Sequence, residues 1–174
     1  LQVTVKHRIG IDNLDSDQLL LEFVDRLANA GAQRFAIHAR KAWLKGLNPK
    51  ENRTIPPLEY ERVALLKAKR SHLKIELNGG LNTIKDCLNA LQTFDGTMVG
   101  RAAYKHPFRW KEIDTTIYGE KARNIIPSSV IKGLLPYTNK HLNNNGRLWD
   151  VCRHILHLVE GIPGSRAWRK SLGL

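Results

Sequence analysis

Two hydrophobic periods alternate through residues 1–108, and that alternation limits the fold more than any other feature. The strand-like runs VTVKHRIG, QRFAIHAR, LKIELNGG and GTMVGRAA are separated by stretches with helical spacing. In SDQLLLEFVDRLANAG, residues Leu20, Phe23, Val24, Leu27 and Ala28 fall on one stripe, with Ser16 as candidate cap and Gly31 as stop. LEYERVALLKAKR reads as a second helix, entered through Pro56 and Pro57 at the end of PKENRTIPP. TIKDCLNALQ is a third, with Ile84, Cys87, Leu88 and Leu91 at i, i+3, i+4 and i+7.

Strand, helix, strand in this order predicts an α/β fold with parallel strands and crossover helices. An open doubly wound sheet and a (β/α)8 barrel both satisfy it. Four βα units in 108 residues make about half of a barrel of typical length ~250. The chain begins at Leu1 and its single methionine is Met98, so it reads as a piece of a longer product. The reading adopted is therefore the second half of a TIM barrel over 1–108, followed by a small all-helical domain over 109–174. In that domain the helical pattern is interrupted at Pro136, at Asn143–Gly146 and at Gly161–Gly164.

Charge narrows the class of partner. The formal net charge is +12. Residues 1–108 hold 17 basic and 11 acidic side chains, while the shorter remainder holds 11 and 5. The tail is the denser cation, which suits a polyanion; solubility is the plainer explanation of the charge taken by itself. No apolar run reaches the roughly 18–20 residues needed to span a bilayer, and LQVTVKHR is unlike a signal peptide. Cys87 and Cys152 lie far apart in helical patterns, as in a reduced cytoplasmic protein.

The candidate site follows from the strand ends, where a barrel gathers its chemistry. Those ends carry Lys6, His38, Asn78-Gly79-Gly80 and Gly100-Arg101. Glycine removes the Cβ that would keep a phosphate from main-chain N–H groups, and an arginine adds paired donors. Each glycine pair by itself could merely form a tight turn. Two pairs with an arginine favour a phosphate site. His38 alone could be a packed core imidazole, and Lys6 an edge or snorkelling lysine. Taken together they suggest a planar anionic cofactor across the strand ends.

Other basic residues suit RNA. The loop GLNPKENR offers Lys50 and Arg53, and GSRAWRKSLG places Arg166, Arg169 and Lys170 around Trp168. The alternative for the latter is a solvated helix face with Trp168 packed inward. His154, His157 and the two cysteines lack metal-ligand spacing, so no metal is expected.

The series VTVKHRIGID, FAIHARKAWLKGLNPKENRTIPPLEYERV, IELNGG and DGTMVGRAAY closely resembles the tRNA-dihydrouridine synthases, particularly their A-type subfamily, over nearly the whole chain. The resemblance implies an FMN-dependent enzyme, re-reduced by NADPH, that converts a D-loop uridine of the 20/20a type to 5,6-dihydrouridine. It implies that Lys6, His38, Asn78, Gly79, Gly80, Gly100 and Arg101 hold FMN. It further implies that Lys50, Arg53, Arg166 and Arg169 orient tRNA. The family's general-acid cysteine precedes the segment matching Lys6, so no catalytic residue is expected within this chain; Cys87 is no substitute. The expectation is a C-terminal fragment, inactive by itself and prone to self-association through exposed sheet edges. Two alternatives stay open: a non-catalytic tRNA-binding half-barrel, and a flavin oxidoreductase acting on a small molecule.

Overall fold

The computed structural model describes residues 2–172. It divides into two compact units, Leu1–Val99 and Gly100–Leu174. The expected helical segment 109–174 lies within the second.

The first unit is a four-stranded sheet with three helices: β1 (Thr4–Arg8), α1 (Asp17–Asn29), β2 (Arg34–His38), α2 (Tyr60–Lys69), β3 (Lys74–Asn78), α3 (Ile84–Ala90) and β4 (Gly96–Met98). The strands are parallel and run in the order β1-β2-β3-β4. Each new strand is laid on the same side of the last. With right-handed crossovers, that stepping puts every helix on one face of the sheet. A doubly wound sheet would need a reversal of direction, and there is none here. This is the topology of a sector of a (β/α)8 barrel, as the sequence predicts.

Alternation along the strands separates the two faces. Phe35, Ile37, Ile75 and Leu77 point one way and are fully or almost fully buried. Leu20 and Val24 of α1, Val63 and Leu66 of α2, and Cys87 of α3 complete that core. Ser16 caps α1 through a bond from the Leu19 N–H to its Oγ, as expected. Thr83 and Asp86 form a capping box at the start of α3.

The second unit is helical: α4 (Arg101–Lys105), α5 (Ile113–Tyr118), α6 (Pro127–Asn143), α7 (Leu148–Cys152) and α8 (Ser165–Ser171), with a 3-10 turn at Pro107–Trp110. Three details differ from the sequence reading. The fourth strand ends at Met98, and Arg101 opens a helix, with Gly100 as its N-cap. Pro136 does not break its helix: α6 runs through it for 17 residues. A proline costs a helix one N–H bond, and the chain here continues, with the Thr138 hydroxyl donating back to the Leu134 carbonyl at 3.0 Å. Conversely, the apolar spacing of RHILHLVEG forms no continuous helix; residues 153–164 are turns closed by i→i+3 bonds such as Ile155 N–H to Cys152 and Leu158 N–H to Ile155. Among the described residues, no helix is long and apolar enough to cross a membrane.

Candidate functional site

Strand register assembles the site. The last rung of the sheet runs Arg8, His38, Asn78, Met98. Two residues earlier lies the rung Lys6, Ala36, Glu76, Gly96. A spacing of two keeps both rungs on the same face, the one opposite the helix-packed core. Lys6, Arg8, His38, Glu76 and Asn78 thus share a polar sheet face. Glu76 on this face pairs with Arg34 at 2.5 Å. Lys6 is exposed, whereas His38 is buried.

Arg8 is the residue of this face that the sequence reading passed over, although its spacing from Lys6 was signal enough. Burial, then the nearby charges of Arg40 and Arg53, depress its pKa. All three guanidinium groups donate to main-chain carbonyls, and the like charge of the other two disfavours the charged form of Arg8.

The glycine pair after β3 has an internal purpose. Gly79 and Gly80 both have positive φ, 109° and 72°. A Cβ on Gly79 would lie 2.6 Å from Cδ2 of His38. On Gly80 it would lie 2.5 Å from Leu58 Cδ1 and 2.6 Å from the Tyr60 hydroxyl oxygen. That hydroxyl donates to the Gly79 carbonyl at 2.7 Å, and burial holds the phenol above its ordinary pKa, so it stays a donor. A side chain at either position would thus collide with His38, Leu58 or Tyr60, which by itself is reason enough for glycine there. Asn78 uses its Nδ2 to donate to the Met98 carbonyl at 2.6 Å, tying β3 to the end of β4.

Gly100 and Arg101 open the second unit, both exposed. Around Gly100 a Cβ would meet nothing within 4 Å. Packing within the fold places no steric demand for glycine at this position.

The loop between β2 and α2 carries Lys50 and Arg53, both exposed. It is heavily cross-tied. Arg8 Nη1 donates to the carbonyls of Lys41 and Asn52, each at 3.0 Å. Arg40 donates to the Pro56 carbonyl. Lys41 pairs with Asp15 at 2.6 Å. Arg53 Nε donates to the Pro49 carbonyl at 2.9 Å.

At the other basic segment, Arg166 and Arg169 are exposed on α8, while Trp168 between them is half-buried and its indole N–H donates to the Ile155 carbonyl at 3.1 Å. The tryptophan is thus an anchor, and the arginines are what the helix presents. Cys87 and Cys152 are both buried and unbridged. Burial raises the Cys87 thiol above its usual pKa, with a bond from Thr97 acting against that. Among the described residues, no group of three or more His, Cys, Asp or Glu side chains is placed to hold a metal.

The fold is thus an α/β barrel sector with cations and an imidazole at its strand ends, joined in sequence to a basic helical unit. The family model described as dihydrouridine synthase (Dus) matches residues 1–173, and the chain belongs to that family. It is 48% identical over 174 residues to a Synechocystis sp. protein named tRNA-dihydrouridine(20/20a) synthase, covering 99% of this chain and 52% of that one. Proteins of the same name from Shewanella oneidensis and Pseudomonas aeruginosa are 46% and 45% identical, with 51% and 52% of their lengths covered and 99% and 100% of this chain. The chain spans about half the length of the curated relatives it matches.

Proposed function

We propose that this chain is the C-terminal half of a tRNA-dihydrouridine synthase that uses FMN and NADPH to reduce a D-loop uridine at position 20 or 20a. The observation that carries the reading is the family match across residues 1–173, together with a cationic strand-end face on this chain.

The residues present fit a flavin phosphate. Arg8 lies near the like charges of Arg40 and Arg53, and Lys6 stands exposed on the same sheet face. Lys6, His38, Asn78, Gly79 and Gly80 would serve the cofactor from the first unit. Gly100 and Arg101 are assigned to the same cofactor by sequence resemblance alone. The flavin, when bound, supplies the hydride that saturates the uracil C5–C6 bond.

The chain's own residues supply binding and orientation. The guanidinium and ammonium groups neutralise phosphate charge, and His38 is held in one place by packing against Gly79. Lys50 and Arg53 on the loop, and Arg166 and Arg169 on α8, grip the RNA backbone, where each contact releases counterions. The base itself must leave its stack to be reduced.

The test is genetic. Deleting the gene removes dihydrouridine at positions 20 and 20a of cellular tRNA, and the intact gene restores it; Arg101→Ala restores it poorly. Unchanged dihydrouridine in the deletion strain would refute the proposal. Burial of both cysteines favours a second reading for residues 1–174 taken alone, namely tRNA binding without turnover. Dihydrouridine formation by that segment with FMN and NADPH would exclude it.

A further inference from the structure

We infer that Asn52 is a positioning residue that presents Lys50 and Arg53 to the RNA backbone; the inference rests on the tRNA-reducing reading above. Every hydrogen-bonding group of Asn52 is engaged in the loop. Its Oδ1 accepts the Trp43 N–H at 2.8 Å, and its Nδ2 donates to the carbonyls of Trp43 at 2.6 Å and Leu47 at 3.2 Å. Its main-chain N–H donates to the Asn48 carbonyl at 3.0 Å, and its carbonyl accepts from Arg8 at 3.0 Å. The side-chain amide thus acts like a piece of β-strand paired with Trp43.

Only asparagine does this at this position. Aspartate offers no donor to the two carbonyls, glutamine is one methylene too long, and an apolar residue leaves three main-chain groups without partners. Around it, Asn48 Oδ1 accepts from the N–H groups of Lys50 and Glu51, and Glu51 Oε2 accepts from Asn48 N–H. On the far side, Asp12 Oδ1 holds the Leu44 N–H at 2.9 Å. Lys50 and Arg53 flank Asn52 in sequence, so the backbone that aims them is the backbone it fixes. Both residues are exposed, and a prearranged pair avoids the ordering cost that a floppy loop would incur on binding.

The side-chain hydrogen bonds of Asn52 all go to Trp43 and Leu47 of the loop, so its effect falls first on RNA binding. In the intact, flavin-loaded gene product, Asn52→Ala and Asn52→Asp each raise KM for tRNA about tenfold, a loss of roughly two ordinary hydrogen bonds. Turnover number and FMN affinity stay within about twofold, and the salt dependence of tRNA binding becomes shallower by about one unit. Combining Asn52→Ala with Lys50→Ala and Arg53→Ala adds nothing to the loss those two cause. Full additivity in that combination, an unchanged KM, or a fall in turnover at constant KM would overturn the inference. So would loss of flavin and of a cooperative melt in both variants, since Asn52 would then belong to the fold itself. A wild-type protein that forms no dihydrouridine sinks the parent reading instead, whereas active wild type with an indifferent Asn52→Ala sinks only this one.

Discussion

The His38 ring occupies the space that a side chain on Gly79 would need: an added Cβ would come within 2.6 Å of Cδ2 and 2.9 Å of Nε2. With φ at 109°, Gly79 also sits where an L-residue is strained. Gly79→Ala is therefore expected to displace the imidazole and to cost about 1–3 kcal/mol in stability. The check is thermal unfolding alongside FMN titration of the intact protein. A melt and a flavin affinity both equal to wild type would contradict the account.

His7 provides a pH-dependent element on the core side of the sheet. Its ring packs edge-on against Phe23 and Phe35, with centroids 5.0 and 6.2 Å away. Its Nδ1–H donates to the Arg8 carbonyl at 2.8 Å, and Nε2 is buried without a hydrogen-bond partner. Burial lowers its pKa below the ordinary 6.5, Lys6 adding to the shift and the Arg8 carbonyl opposing it. The unfolded chain therefore binds the proton more tightly than the folded one. Stability is fully present above about pH 6.5 and declines as pH falls through the depressed value. His7→Phe should flatten the melting temperature between about pH 7 and pH 5; identical slopes in variant and wild type would rule this out.

Arg166 and Arg169 share an exposed face, while Trp168 anchors α8. Arg166→Ala with Arg169→Ala should weaken tRNA binding at every D-loop sequence and reduce the log–log salt slope by roughly 1.5. The melt should stay within about 0.5 kcal/mol of wild type, as for exposed substitutions generally. Filter binding at several salt concentrations measures it. A slope that does not change removes α8 from the RNA interface.

Both cysteines are expected to be inert in the folded chain, because the thiolate is the reactive form and Cys87 is pushed away from it by burial. Iodoacetamide should label neither under native conditions and both in denaturant, read by mass spectrometry. Rapid native labelling of Cys87 would show that its helix opens.

Within residues 1–174, β1 and β4 each pair on one side only among the described strands. Apolar side chains flank β1, with Ile11, Leu14, Leu19 and Phe23 at least 40% exposed. Expressed alone, these residues should self-associate or precipitate. Sedimentation showing a lone monomer with a cooperative melt would count against that.

Much of the architecture is legible in the sequence because it depends on local periodicity. Ser16, Leu20 and Val24 announce α1 by spacing, and the two-residue step from Lys6 to Arg8 announces a shared face. The glycines after β3 are legible as special but not for their reason: His38, Leu58 and Tyr60 reach them only after the sheet has formed. Asn52 is invisible for a similar cause. Its partners are main-chain atoms of Trp43 and Leu47, which any residue type supplies, so no pattern of side chains points to it. Pro136 misleads because local preference is outweighed by the rest of α6.

The cross-ties of the loop after β2 have an evolutionary corollary. Asn52, Asp12 and Arg8 fasten it almost wholly through peptide groups, leaving the outward residues at 44, 45 and 50 uninvolved in its shape by their side chains. Substitution at those outward positions is thereby tolerated upon an unaltered frame.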